Sequence, residues 1–177
     1  MKPLLSSLKK INEYLAIAAG LLLLLTVIIT LFDITARPFG MSLGGTDELS
    51  GYAMAITTSW GVSYALTDMA HVRIDLLRTR FTSVGQAMFD AIAIISLAGV
   101  AVIIAYRVWP VLAKTIKNGS TANTTLETPL WIPQIFWMAG WVWFAVSAVI
   151  IAVSVVIYIL SKNSDKVNDI AGLRNEL

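Results

Sequence analysis

YLAIAAGLLLLLTVIITLF, residues 14–32, is an unbroken apolar run bounded by Glu13 and Asp33. At 1.5 Å of rise per residue, a helix of about 20 residues crosses a ~30 Å hydrocarbon core. A run of this length predicts a membrane-spanning helix. In lipid every backbone polar group has to be satisfied within the segment, which leaves a helix as the only form for a single run. The rest of the chain has the same character. Its 177 residues are 57% hydrophobic and only 14% charged, with mean hydropathy +0.76. A soluble domain is nearer a quarter charged. Composition therefore puts the chain among integral membrane proteins.

Three more uncharged runs follow, at residues 49–67, 91–106 and 128–161. The third is short, so Asp90 and Arg107 are expected near the interfaces, where Arg107 can snorkel. The last opens with TPLWIPQ, and Pro129 and Pro133 place the start of its span near Gln134. The prediction is an all-α integral membrane protein with four transmembrane helices at about residues 12–33, 47–68, 86–109 and 133–161. Residues 162–177 form a cytoplasmic tail. The first run exceeds a signal-peptide core, and no small-residue cleavage site follows it, so it is read as an uncleaved span.

Lysine and arginine set the orientation. With both termini inside, Lys2, Lys9, Lys10, Arg73, Arg78, Arg80, Lys162, Lys166 and Arg174 are cytoplasmic, against Arg37, Arg107, Lys114 and Lys117 outside. This favours N-in and C-in, with Trp109, Trp131 and Trp137 towards the outer interface. No basic stripe interleaved with aromatics suggests nucleic acid.

Chemistry has few candidates. The chain has no cysteine and one histidine, His71, in TDMAHVRIDLLRTRF at residues 67–81. His71 and Asp75 share a face if that segment is helical. One histidine beside two carboxylates is too small a set for zinc, and a haem with paired histidine ligands needs a second histidine. No catalytic residue, metal or cofactor is assigned. The segment reads instead as a short interfacial helix after span two, with Arg73, Arg78 and Arg80 towards phospholipid head groups and Leu76, Leu77 and Phe81 in the acyl boundary. A structural or partner-docking corner is the other reading. Across the membrane, Asp33 and Arg37 are spaced to pair. Thr46 is an expected N-cap of span two, with Asp47 and Glu48 complementing the helix dipole. In span two, Gly51, Ala55, Ser59, Ser63 and Thr67 recur every four residues and form a packing face, either within the bundle or against another protein. No ionisable residue lies near the centre of a span, and no inverted repeat is evident. The spans suit an accessory subunit better than a complete transporter.

In order along the chain, FDITARPFG (32–40) leads to GTDELSGYAMAITTSWGVSYAL (45–66), DMAHVRIDLL (68–77) contains a His-x-Arg-Ile-Asp-Leu pattern, and TPLWIPQIFW (128–137) opens span four. These pieces resemble the small four-span subunit of the tripartite ATP-independent periplasmic (TRAP) transporters, the DctQ-like proteins, over about residues 8–162. The resemblance implies Arg37, Asp47, Glu48, His71, Arg73 and Asp75 as family-motif positions at a partner or lipid interface. It implies a large membrane permease subunit and a periplasmic substrate-binding protein as partners. It also implies import of an organic acid, such as a dicarboxylate or sialic acid, on a cation gradient. The expected location is the bacterial cytoplasmic (inner) membrane. Two alternatives stay open at this level: the small four-span subunit of a tricarboxylate-type tripartite transporter, and a membrane anchor of an enzyme complex.

Overall fold

The computed structural model describes residues 2–68, 83–124 and 126–161. Among these residues the fold is four long helices and no strand: α1 (Lys2–Ala36), α2 (Thr46–Thr67), α3 (Ser83–Asn118) and α4 (Trp131–Leu160). The expected interfacial helix after span two and the tail lie outside the described residues.

Leucine, alanine and isoleucine carry α1 without interruption until Pro38. Proline offers no N–H and disfavours helical backbone in the residue before it. The chain tightens there into a 3-10 turn, Arg37–Phe39, closed by Gly40 in the left-handed region (φ 75°). The Gly40 N–H bonds the Arg37 carbonyl at 3.0 Å, and the Met41 N–H bonds that of Ala36 at 3.3 Å. Thr26 and Thr30 turn their hydroxyls back to the carbonyls of Leu22 and Thr26 (2.8 and 2.9 Å), so neither presents an unsatisfied group to lipid.

Helix α1 packs on α2, α2 on α4, and α4 on α3, so α2 and α4 form the middle of a row flanked by α1 and α3. The core is densest between α3 and α4. Ala87, Ala91, Ile94, Ala98 and Ala101 recur on one face of α3, opposite Phe144, Ala148, Ile151 and Val155 of α4. Alanine at helical spacing lets two helices approach closely and gain van der Waals contact, which matters where lipid supplies little hydrophobic drive. Asp90, expected at an interface, is 1% exposed on this same α3 face.

The helices overrun the expected spans. Helix α1 begins at Lys2, ahead of the apolar run. Helix α3 continues through Pro110 to Asn118, so Arg107, Lys114 and Lys117 lie on its last turns and not in a loop. Helix α4 starts at Trp131, with Pro133 in its first turn, where a missing N–H costs no intrahelical bond. The segments Pro3–Phe39, Gly85–Asn118 and Trp131–Leu160 are long and apolar enough to cross a membrane. Helix α2 is long enough at 22 residues but is not among them. Its serines, threonines and glycines lower its hydropathy because it is an inner helix with a neighbour on each side. Several of its hydroxyls return to its own carbonyls: Thr57 to Ala53 (2.8 Å), Thr58 to Met54 (2.7 Å) and Ser59 to Ile56 (2.8 Å).

Candidate functional site

At one end of the row Asp33 gathers the turn between α1 and α2. Its side chain is wholly buried. Arg37 donates to Oδ2 through Nε (3.0 Å) and Nη2 (2.6 Å), and the Thr46 hydroxyl donates to the same oxygen at 3.0 Å. Oδ1 accepts the Leu43 N–H at 2.7 Å and the Ser42 hydroxyl at 3.2 Å. The expected Asp33–Arg37 spacing forms an ion pair. Charged hydrogen bonds of this kind are the strong ones, and here one carboxylate ties down the following chain as far as Thr46.

Thr46 does not act as the expected N-cap. Gly45 occupies the N-cap position with φ 81°, and no side chain caps the helix, because the Thr46 hydroxyl is committed to Asp33. The left-handed backbone angle favours glycine at 45, and a Cβ there would come within 2.4 Å of Leu126 Cδ1 in the α3–α4 loop, so that side chain would have to move.

That loop returns to α2. Thr121 and Pro129 form an antiparallel bridge, and the Ala122 N–H bonds the Thr128 carbonyl at 2.9 Å. Glu48, expected only to complement the helix dipole, also accepts the Thr124 hydroxyl through Oε2 and the Tyr52 hydroxyl through Oε1 (2.7 Å). The carboxylate thus clasps the loop to the start of α2. Asp47 stands exposed in the same first turn, and its carbonyl accepts the Ser50 hydroxyl at 2.9 Å.

At the other end the joint is Asn12, fully buried. Its Nδ2 donates to the Ser63 carbonyl (3.0 Å) and the Thr67 hydroxyl (3.3 Å), and its Oδ1 accepts the Trp143 indole N–H at 2.7 Å. One side chain therefore ties α1, α2 and α4. Lys9 faces Asp68 beside it at 3.6 Å.

The four-residue stripe on α2 divides. Ser59 and Ser63 are fully buried, whereas Gly51 and Ala55 are exposed. The closest crossing is at Ser59: a Cβ placed on Gly140 of α4 would lie 2.3 Å from Ser59 Oγ and 2.9 Å from its carbonyl carbon. Nearby, the Trp60 indole N–H donates to the Phe136 carbonyl at 3.0 Å. Sequence reasoning did not single out Asn12, Trp60, Gly140 or Trp143. Asn12 carried a signal, an uncharged amide two residues before the first apolar run; Gly140 carried one in AG inside a tryptophan-rich helix.

His71, Arg73 and Asp75 lie outside the described residues, so the structure places Arg37, Asp47 and Glu48 together at one end and leaves the second motif undescribed. Among the described residues, no group of three or more His, Asp or Glu side chains could hold a metal ion. The polar groups that converge join helix to helix and loop to helix. No curated protein and no solved structure matches the chain. The family model described as tripartite ATP-independent periplasmic transporters, DctQ component, matches residues 26–158, which is 133 of 177 positions and includes all the quoted sequence motifs and the Asp33, Glu48 and Gly140 joints. On that match the chain belongs to the DctQ family, the small membrane component of the TRAP transporters.

Proposed function

We propose that this chain is a non-catalytic scaffold subunit that holds the large permease subunit of a TRAP transporter in the bacterial inner membrane and helps dock the periplasmic substrate-binding protein. The family match favours this over the tricarboxylate-type small subunit and the enzyme anchor. In this reading all four helices span, with both termini cytoplasmic and the Asp33 and Glu48 joints outside. Helix α2 crosses as the fourth span because its polar side chains face neighbours or bond back to its own turns.

The observation that carries the reading is the open row. Helix α1 ends the row beside α2 and leaves Leu21, Leu24, Leu25, Ile28, Leu31 and Phe32 each more than half exposed. Such a flank is a surface for lipid and for other membrane helices, not the wall of a polar path. Gly51 and Ala55, exposed on α2, leave room for a close helix from the large subunit. The segment with His71, Arg73 and Asp75, outside the described residues, is proposed to grip its own fold, lipid head groups or that subunit on the cytoplasmic side. The transported species is an organic acid driven by a cation gradient; that chemistry belongs to the partners.

The test is co-purification. An affinity-tagged full chain, expressed with a large TRAP permease subunit from the same genome, should elute with the permease in mild detergent. Elution without it, under conditions where the permease is itself folded, overturns the scaffold reading.

A further inference from the structure

We infer that the turn over residues 37–43 is a membrane-interface anchor: Phe39, Met41 and Leu43 enter the boundary between acyl chains and head groups at this end of the row, with Arg37 facing the phosphates. The inference rests on the reading that α1 spans the membrane, and not on any partner.

Three side chains make the case by exposure. Phe39 is 78% exposed, Met41 62% and Leu43 56%, all within one short turn. Large apolar side chains scattered singly over a surface are ordinary, whereas a contiguous group marks a contact with lipid or protein. The group is also held outward. Gly40 in the left-handed region reverses the chain, and Asp33 fixes the returning limb through the Leu43 N–H and the Ser42 hydroxyl. These bonds keep the turn from folding its apolar side chains onto the helices.

The same bonds set its depth. The uncharged run of α1 ends at Phe32, and Asp33 is the next residue. A run of that length reaches the edge of the hydrocarbon, so Asp33 stands at the interface. Because Leu43 is tied to Asp33 directly, the returning limb lies at this level, and the chain between them rises above it by only the last turn of α1 and the 3-10 turn. Apolar surface is continuous along the chain up to the turn, since Leu31, Phe32 and Ile34 of α1 are each more than half exposed. Arg37, with 52% of its side chain exposed, carries donors beyond those Asp33 takes. An arginine above a ring of apolar groups is the arrangement that interfacial segments use towards phosphate. A water-facing docking loop for a soluble protein would not need its depth fixed at the hydrocarbon edge.

The chain has no cysteine, so single labels are clean. Phe39→Cys and Met41→Cys, each labelled with bimane, would be placed as the full chain in vesicles of phosphatidylcholine and phosphatidylglycerol. Some vesicles would carry a nitroxide near the head group, others one near the chain end. Asn123→Cys in the exposed α3–α4 loop serves as the aqueous control. The expected result is a loss of emission of roughly twofold or more at residues 39 and 41 with the shallow nitroxide. The deep nitroxide should quench less, and residue 123 should respond to neither. Quenching of residues 39 and 41 by aqueous iodide but not by either lipid probe overturns the inference and makes the turn a protein-docking surface. Because the permease is absent from the vesicles, failure here is separate from failure of the scaffold reading.

Discussion

Gly140→Ala adds one methyl group at the tightest point between α2 and α4. The new carbon would stand 2.3 Å from Ser59 Oγ, 2.8 Å from Ser59 Cβ and 2.9 Å from the Ser59 carbonyl carbon. Comfortable carbon–carbon separations are about 3.5–4.0 Å. The hydroxyl can rotate away, but the carbonyl carbon belongs to a helical backbone and cannot move alone. The two inner helices must therefore part by at least half an ångström or so, at a cost of about 1–3 kcal/mol for overpacking. For a chain of this size that is a fall of roughly 2–12 °C in the melting temperature. Thermal unfolding in detergent, followed by the fluorescence of the six tryptophans, reads it. Ser59→Gly in the same chain removes the two closest contacts and leaves the backbone one. The double variant should recover part of the loss, beyond the ~0.5–1 kcal/mol that glycine itself costs a helix. A Gly140→Ala chain with unchanged melting, or a double variant that is simply additive, would refute the close crossing.

Three further outcomes are expected. Asn12→Leu removes the acceptor of the Trp143 indole and the donor to Ser63, costing about 1–3 kcal/mol, read as a lower melting temperature with a shift in tryptophan emission. Asp33→Asn cannot accept at both ends as the carboxylate does, so the following turn loosens by about 1–3 kcal/mol and chymotryptic cleavage after Phe39 accelerates. His71→Ala or Arg73→Ala lowers uptake together with the yield of complex; normal yield with lost uptake would assign the corner a direct part in transport.

The helices were legible because apolar runs in lipid allow one backbone solution, and the runs ending at Phe32 and Tyr106 needed no further information. The ends of the helices were less so. Lys2 to Ile11 and Pro110 to Asn118 fall outside the expected spans, yet they continue helices whose inner turns already pay for nucleation, and Leu8, Leu112 and Thr115 pack inward. The Asp33–Arg37 pair was visible from its spacing, since four residues is local geometry. The partners of Asp33 at Ser42, Leu43 and Thr46 depend on how the turn folds back, and Asn12 with Trp143 depends on packing between residues 131 positions apart. The same non-locality defeated the N-cap assignment at Thr46, where a tertiary bond to Asp33 displaced a local one. The small-residue stripe was readable as a stripe; which half of it is covered follows only from where α4 lies.

The most direct test of the scaffold claim is uptake in proteoliposomes under an imposed cation gradient. The substrate would be the ligand found on the substrate-binding protein that serves this chain and its permease, added with that protein. This chain alone should accumulate none above empty vesicles, and this chain with the large permease should accumulate it. Uptake by this chain alone would contradict the account.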